Sequence, residues 1–213
     1  MDQLRAYKAL LRKFGKQGWW PAKSRFEVVA GAILTQNTNW RNVEKAIGNL
    51  RKARMLNAGK IARAGKRKIE ELIRPSGFYR QKAGRLKDVA RWFVSADKNR
   101  DTGELREELL SIKGVGMETA DSILLYALGR PVFVIDAYTK RMCGRHGIRR
   151  TGYEGYRAFF EKNLPKEVEL YKEFHALIVE LGKRYCRKKP VCEGCPLRAL
   201  LFSSYPLKHV IQH

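Results

Sequence analysis

The sequence predicts an all-α protein, and two observations support this prediction. Apolar residues recur at intervals of three and four over most of the chain, for example over residues 26–33 and 170–181. This is the spacing of the buried face of an amphipathic helix. The run that best suits a strand, residues 131–135, is short and leads directly into Asp136. We therefore interpret it as an extended connection and predict no sheet.

Breaks rich in glycine, proline and asparagine separate the predicted helices. No low-complexity linker divides the sequence. Its 213 residues, with 44% hydrophobic content, suffice for the core of one or two small domains. The predicted breaks are residues 18–21, 37–39, 57–60, 75–77, 97–103, 113–116 and 149–152.

The chain is strongly basic. It contains 44 Lys and Arg against 21 Asp and Glu, a formal net charge of +23. Such an excess favours a polyanionic partner, above all nucleic acid, although a very soluble or heat-adapted surface would also be rich in charge. Basic residues are concentrated between Arg51 and Arg91, and we expect part of this segment to contact DNA.

The apolar runs of the sequence are too short to span a membrane. Residues 1–11 form a charged amphipathic stretch without the apolar centre of a signal peptide. We therefore expect a cytoplasmic protein without a membrane partner.

Residues 109–121 place a Gly-x-Gly turn, Gly114 and Gly116, between two helix-forming stretches. Glycines can adopt positive φ and let a phosphate approach the backbone N–H groups at the start of a helix. A turn of this kind can equally be a structural connection. Asp136, further along the chain, precedes helix-forming residues as a helix N-cap does, and N-cap hydrogen bonds favour its ionised form.

Residues 112–120, followed by Val134-Ile135-Asp136, resemble the helix-hairpin-helix and aspartate signature of the endonuclease III superfamily of DNA glycosylases. Residues 32–38 and 76–83 resemble two further segments of that family. The resemblance implies two helical domains. One is an inserted six-helix domain, residues 20–130, with the hairpin at about 105–124. The other is a terminal domain made of residues 1–19 and 131–213, with a cysteine-rich loop at 186–195.

The same resemblance implies that Asp136 is the catalytic carboxylate. Breaking an N-glycosidic bond builds positive charge on the deoxyribose. A carboxylate beside the sugar either stabilises this charge or activates a water. Bifunctional members carry a lysine on the second hairpin helix where this chain has Glu118, and a glutamate cannot form a Schiff base. We therefore expect a monofunctional glycosylase. Glu118 itself either takes part in catalysis or is a solvated helix residue.

The tryptophans resemble those of small bacterial 3-methyladenine glycosylases in the same superfamily. Those enzymes share the Trp-Trp-Pro and Leu-Thr-Gln-Asn-Thr segments and stack an alkylated purine between two aromatic rings. Trp19 and Trp40 match these rings, with Trp20 beside them. This implies a pocket for a flipped, damaged purine. The alternative is that all three indoles belong to the core.

Several residues are expected to contact DNA. Gln36 would fill the space of the flipped base or touch the opposite strand, although its amide could simply tie down its own loop. Contacts with phosphates are expected from Arg80, Lys82, Lys113, Gly114 and Gly116.

Cys186, Cys192 and Cys195 resemble the iron–sulfur loop of the family with two departures. The first spacing is one residue short, and Leu201 occupies the place of the fourth cysteine. A 4Fe-4S cluster with a non-cysteine fourth ligand, a zinc site, and a loop without metal all remain open. The candidates for a fourth ligand are His209 and His213.

The resemblance implies double-stranded DNA with a damaged base as the partner of a monomeric, nucleoid-associated prokaryotic enzyme. An oxidised-base or mismatch glycosylase, with or without lyase activity, is the first alternative. A non-catalytic helix-hairpin-helix DNA-binding protein is the second, against which Asp136 argues.

Overall fold

A computed structural model describes residues 2–201 of the chain. This part of the chain is built from helices and connections, without a β-strand, which confirms the all-α prediction. Residues 131–135 are extended but unpaired with any strand there, as predicted. His209 and His213 lie outside the described residues. None of the described helices combines the length and apolar character of a membrane-spanning segment.

The described residues cluster into two compact units. The central unit comprises residues 20–130, and the terminal unit comprises residues 2–19 and 131–201. The helices of the terminal unit are α1 (Gln3–Phe14), α9 (Ala137–Arg145), α10 (Gly152–Asn163), α11 (Val168–Arg184) and α12 (Arg198–Leu201).

The central unit contains seven α-helices, a 3₁₀ turn and a π-helical turn among its described residues. They are α2 (Arg25–Leu34), α3 (Trp40–Lys52), α4 (Ala58–Arg63), α5 (Lys66–Ile73), the 3₁₀ turn Arg74–Ser76, α6 (Tyr79–Ser95), α7 (Thr102–Ser111), α8 (Met117–Ser122) and the π-helical turn Ile123–Ala127.

Helix α2 lies at the centre of its unit. Every residue from Phe26 to Leu34 is buried, and all of them except Glu27 are apolar or glycine, as expected for a helix that is covered on all sides. It packs against α3, α6, α8 and the π-helical turn.

Polar side chains fix where several of these helices begin. Asn39 and Asn57 accept hydrogen bonds from the backbone N–H groups of Asn42 and Lys60, which is the usual N-cap arrangement. The predicted break at residues 57–60 is therefore wrong at its end, because Asn57 caps α4 and the helix has begun at Ala58.

An aromatic cluster forms the core of the terminal unit. Phe133 stacks on Phe160 with ring centroids 4.3 Å apart, and Tyr171 and Phe174 meet Phe133 edge-on. Such ring pairs stabilise a core beyond the area that they bury. The cluster anchors the extended segment 131–135, which leads to Asp136.

Candidate active site

The segment before Asp136 is held by side chains of α10. Phe133 N donates to Glu161 Oε1 at 2.9 Å, and Ile135 N donates to Tyr153 Oη at 3.2 Å. The extended segment thereby satisfies backbone N–H groups that have no strand partner. It presents Asp136 at a fixed position at the start of α9.

Asp136 is the N-cap of α9, as predicted. Its Oδ1 accepts from Thr139 N at 2.7 Å and from Thr139 Oγ1 at 2.8 Å. Its Oδ2 lies 3.5 Å from Nε2 of His175, and the Asp136 side chain is 12% exposed. Burial alone raises the pKa of Asp136, but the contact with His175 and the two bonds from Thr139 outweigh it, so the pKa lies below its usual value. The carboxylate is therefore ionised at neutral pH.

Glu118 lies on α8, next to the hairpin turn, and is exposed. Its backbone oxygen accepts from Ser122 Oγ at 2.6 Å. Exposure agrees with the solvated interpretation of Glu118, and a catalytic contribution from it stays a prediction.

The hairpin joins α7 to α8 through an exposed turn. Gly114 has φ +87°, and a Cβ built there would meet the Arg85 side chain at 2.1 Å. Gly116 has φ −94°, an extended conformation open to any residue. Of the two glycines, only Gly114 uses the positive φ that glycine permits. Lys113 is exposed beside them.

Gln36 is bonded within the central unit. Its Nε2 donates to Gly114 O at 3.1 Å and to Thr119 Oγ1 at 3.0 Å, and its Oε1 accepts from Arg85 Nη1 at 2.8 Å. The amide therefore ties the loop after α2 to the hairpin and to α6. Its contact with DNA stays a prediction.

A second interaction fixes the hairpin from its inner side. Arg106 of α7 donates to both carboxylate oxygens of the fully buried Asp121 of α8, at 2.6 and 3.2 Å. A two-point guanidinium–carboxylate pair restricts the relative rotation of two helices as well as their distance.

The predicted phosphate contact of Lys82 is wrong. Lys82 is 1% exposed, and its Nζ donates to the backbone oxygens of Leu34 at 2.8 Å and Ser76 at 2.7 Å. Burial, reinforced by the nearby charge of Arg85, lowers the pKa of Lys82 to about 8. The sequence carried a signal of this burial, because Lys82 lies four residues before the buried Leu86 on one helix face. Arg80, by contrast, is exposed.

Phe78 is a surface feature that the sequence analysis missed. It is 62% exposed and has φ +46°, a conformation uncommon for a bulky residue, at the N-cap of α6. An exposed ring in a strained backbone conformation often marks a functional position. The amino-acid type alone gave no indication of exposure.

Trp20 and Trp40 line a cavity of about 290 Å³ in the central unit. Their ring centroids are 5.6 Å apart with an interplanar angle of 87°, so they meet edge to face and leave no slot for a base between them. Trp20 also rests on Gly31, where a Cβ would lie 3.1 Å from the indole. Trp19 belongs to the terminal unit, where Lys183 Nζ lies 4.8 Å from the centre of its ring. Stacking of a base on Trp19 and Trp40 stays a prediction.

Charged side chains border the same cavity. Glu27 pairs with Arg51 at 2.5 Å, and Glu44 accepts from Trp40 Nε1 at 3.0 Å. The formal charges of these three side chains sum to −1. The cavity lining is therefore negative in a chain of net charge +23.

The cysteine loop is held by two arginines of α9. Arg141 Nε donates to Cys186 O at 2.6 Å, and Arg145 donates to Cys186 Sγ at 3.1 Å and to Lys188 O at 2.9 Å. Burial, together with Cys192 and Cys186 nearby, raises the pKa of Cys195.

Within residues 2–201, no group of three or more His, Cys, Asp or Glu side chains is placed to hold a metal ion.

An all-α chain with a helix-hairpin-helix turn and an ionised aspartate capping a later helix has the features of a helix-hairpin-helix DNA repair protein. Comparison with protein families agrees with this class. The superfamily described as HhH-GPD base excision DNA repair proteins matches residues 30–166. This chain belongs to the HhH-GPD superfamily, which confirms the resemblance to endonuclease III-like proteins.

Two relatives span most of the chain. A protein of Methanocaldococcus jannaschii, provisionally named a DNA repair glycosylase, is 54% identical over 207 residues, which cover 92% of this chain and 94% of that protein. Endonuclease III of Thermotoga maritima is 32% identical over 175 residues, covering 81% of this chain and 80% of that enzyme.

Among solved structures, a 3-methyladenine DNA glycosylase of H. pylori bound to 1,N6-ethenoadenine is similar to this chain with a TM-score of 0.76. It is 36% identical, and the match covers 86% of this chain and 98% of that one.

Proposed function

We propose that this protein is a monomeric, monofunctional DNA glycosylase that removes alkylated purines from double-stranded DNA and leaves an abasic site. Membership of the superfamily makes it a base excision repair protein with glycosylase activity. The observation that carries the mechanism is the carboxylate of Asp136, which is ionised and accepts two hydrogen bonds from Thr139.

In this mechanism the bond between C1′ of the deoxyribose and the purine nitrogen breaks, and its electron pair leaves with the purine. Asp136 stabilises the positive charge that develops on the sugar. A water then attacks C1′ and gives its proton to the carboxylate or to solvent. A purine methylated at N3 or N7 is already a cation and leaves as a neutral base, so the reaction requires no protonating acid.

The cavity in the central unit supports a cationic substrate. Trp20 and Trp40 line it, and the carboxylates of Glu27 and Glu44 outnumber the guanidinium of Arg51. Aromatic faces attract a positively charged ring more strongly than a neutral one. The similar H. pylori enzyme is named for 3-methyladenine, which agrees with this choice.

The residue on the second hairpin helix supports hydrolysis without strand cleavage. Glu118 offers no amine to the sugar, and a Schiff base requires one. The similarity to the endonuclease III of T. maritima makes an oxidised-base glycosylase the second candidate function.

The test uses duplexes that each carry a single 7-methylguanine, 3-methyladenine, thymine glycol or G·T mismatch. Base release from the methylated purines, with strand breaks only after alkali, is the expected result. Release from thymine glycol, or cleavage without alkali, would instead establish the second candidate. Tight binding without release from any duplex would establish a non-catalytic DNA-binding protein.

We expect Asp136→Asn to lower the single-turnover rate of base release at least about 100-fold, because the developing cation loses its counter-charge. Duplex affinity should change less than about twofold, because phosphate contacts set it. Both quantities are measured with a 7-methylguanine duplex.

Asp101→Asn is the matched control for Asp136→Asn. Asp101 is also a helix N-cap, for α7, and accepts from Gly103 N. The Asp101→Asn variant should release base at the same single-turnover rate as the parent. An Asp136→Asn variant as active as the parent would show that another group stabilises the cation.

None of these steps involves the cysteine loop. Iron and zinc analysis of anaerobically purified protein, with its visible absorbance spectrum, distinguishes a cluster, a zinc site and a loop without metal.

A further inference from the structure

His175 lies beside Asp136 but belongs to a different helix. It is on α11, which packs against α9 and α1, and is 6% exposed. Its neighbours in sequence, Phe174 and Ala176, are fully buried. Burying an imidazole in such surroundings costs free energy unless it interacts with a polar group. Its Nε2 lies 3.5 Å from Asp136 Oδ2.

The two oxygens of Asp136 have different surroundings. Oδ1 accepts both hydrogen bonds from Thr139 and serves as the helix cap. Oδ2 faces His175. A carboxylate held by Thr139 alone could still turn about the bonded oxygen. Contact on the second oxygen defines the plane of the group, and the direction in which Oδ2 offers its charge.

We propose that His175 is a positioning residue that directs Asp136 Oδ2 toward the reacting sugar. The inference rests on the proposed function, because the reaction is the one assigned to Asp136. His175 acts through the carboxylate and does not itself touch substrate.

Electrostatics support this role. Burial alone raises the pKa of Asp136, and the interactions with His175 and Thr139 bring it below its usual value. Without His175, burial is opposed by Thr139 alone. A larger fraction of Asp136 would then be protonated, and a neutral carboxyl group stabilises the sugar cation poorly.

Three substitutions separate positioning from packing. In His175→Gln the amide nitrogen extends about as far from the backbone as Nε2 does. In His175→Asn it extends only as far as Nδ1. His175→Leu keeps much of the volume and has no polar atom. Single-turnover base release and duplex affinity are measured for each variant, with the melting temperature to compare folding.

We expect His175→Leu and His175→Asn to release base at least about tenfold more slowly than the parent, with duplex affinity changed less than about twofold. His175→Gln should retain most of the parent rate. If the base-release rate is retained with glutamine and lost with asparagine, the position of the side-chain nitrogen matters. A role in packing alone would not separate these two variants in this way. The comparison of these two variants remains decisive even if His175→Leu fails to fold.

His146→Leu is the control for loss of an imidazole from the same unit. His146 is the C-cap of α9, at the opposite end from Asp136, and its substitution should leave the rate of base release unchanged.

A His175→Leu variant as fast as the parent, or equal losses in all three His175 variants, would overturn the positioning role. If the parent releases no alkylated purine, the proposed substrate is wrong. If it does and His175→Leu matches it, only the role of His175 is wrong.

Discussion

At the scale of single residues, Asp136 combines two tasks that require the same chemical state. The N–H groups at the start of α9 stabilise an anion, and an anion is what a sugar cation needs nearby. Thr139 donates two hydrogen bonds to Oδ1 of Asp136, and His175 lies beside Oδ2. The structural cap and the proposed catalyst are therefore compatible in one side chain.

Lys82 shows the opposite case, a buried charge that serves the fold. Its ammonium lies at the C-terminal end of α2, where it donates to Leu34 O and to Ser76 O. A cation at a helix C-terminus is favoured by the helix dipole. It joins α2, the 3₁₀ turn and α6 beneath the loop that carries Gln36.

We expect the contribution of Lys82 to stability to increase at alkaline pH. Its pKa is 10.5 in the unfolded chain and about 8 in the folded protein. Between these values the unfolded chain binds more protons, so the free energy of unfolding rises with pH. Relative to Lys82→Met, the parent should gain about 2 kcal/mol between about pH 7.5 and about pH 9.5.

The measurement is urea denaturation of both proteins at the two pH values. Lys82→Met lacks only the titrating amine, so subtraction removes the effects of other groups. A difference between parent and variant that does not change with pH would mean that the buried amine keeps its ordinary pKa.

At the scale of elements, the hairpin depends on Gly114 for two reasons. Its positive φ is strained for any other residue, and an added Cβ would meet Arg85. Moving Arg85 also removes the bond that it donates to Gln36. The turn, α6 and the loop after α2 are thus coupled through one backbone position.

Gly114→Ala should therefore lower the free energy of unfolding by about 1 to 3 kcal/mol. Gly116→Ala is the matched substitution, because its extended backbone and open surroundings accept a methyl group. It should change stability by less than about 0.5 kcal/mol. Equal losses for both variants in thermal and urea denaturation would refute the role of positive φ at Gly114.

The hairpin also shows what the sequence could predict. Local signals sufficed for the Gly-x-Gly turn between two helices and for the cap at Asp136, because caps and tight turns depend on neighbouring residues. Interactions between elements distant in sequence could not be read in this way. Gln36 meets Gly114, and Lys82 meets Leu34, only after α2, α6 and α8 have packed. The edge-to-face arrangement of Trp20 and Trp40 has the same cause.

The candidate site was predictable to a similar extent. Asp136 follows an extended segment and begins a helix, a pattern visible in the sequence. His175 lies within the apolar pattern of α11, where a histidine suggests no particular partner. Its proximity to Asp136 arises from the packing of α11 against α9.

At the scale of the whole molecule, the net charge of +23 favours a polyanionic partner. Some of the basic side chains serve the fold, as the bonds of Lys82, Arg106 and Arg145 show. Arg80 is exposed, and its contact with a phosphate stays a prediction. Net charge therefore predicts the kind of partner, whereas burial decides which residues contribute to binding.

We expect duplex affinity to fall steeply with salt, because each neutralised phosphate releases a counterion. Arg80→Ala should reduce the magnitude of the slope of log K against log salt by about 1, which corresponds to the loss of one phosphate contact. Arg5→Ala removes an exposed charge from α1, outside the basic segment 51–91, and should leave the slope nearly unchanged. Titrations of a fluorescent duplex at several salt concentrations give the three slopes. If Arg80→Ala keeps the parent slope, its guanidinium does not reach a phosphate, and the basic residues before α6 or in the hairpin must account for binding.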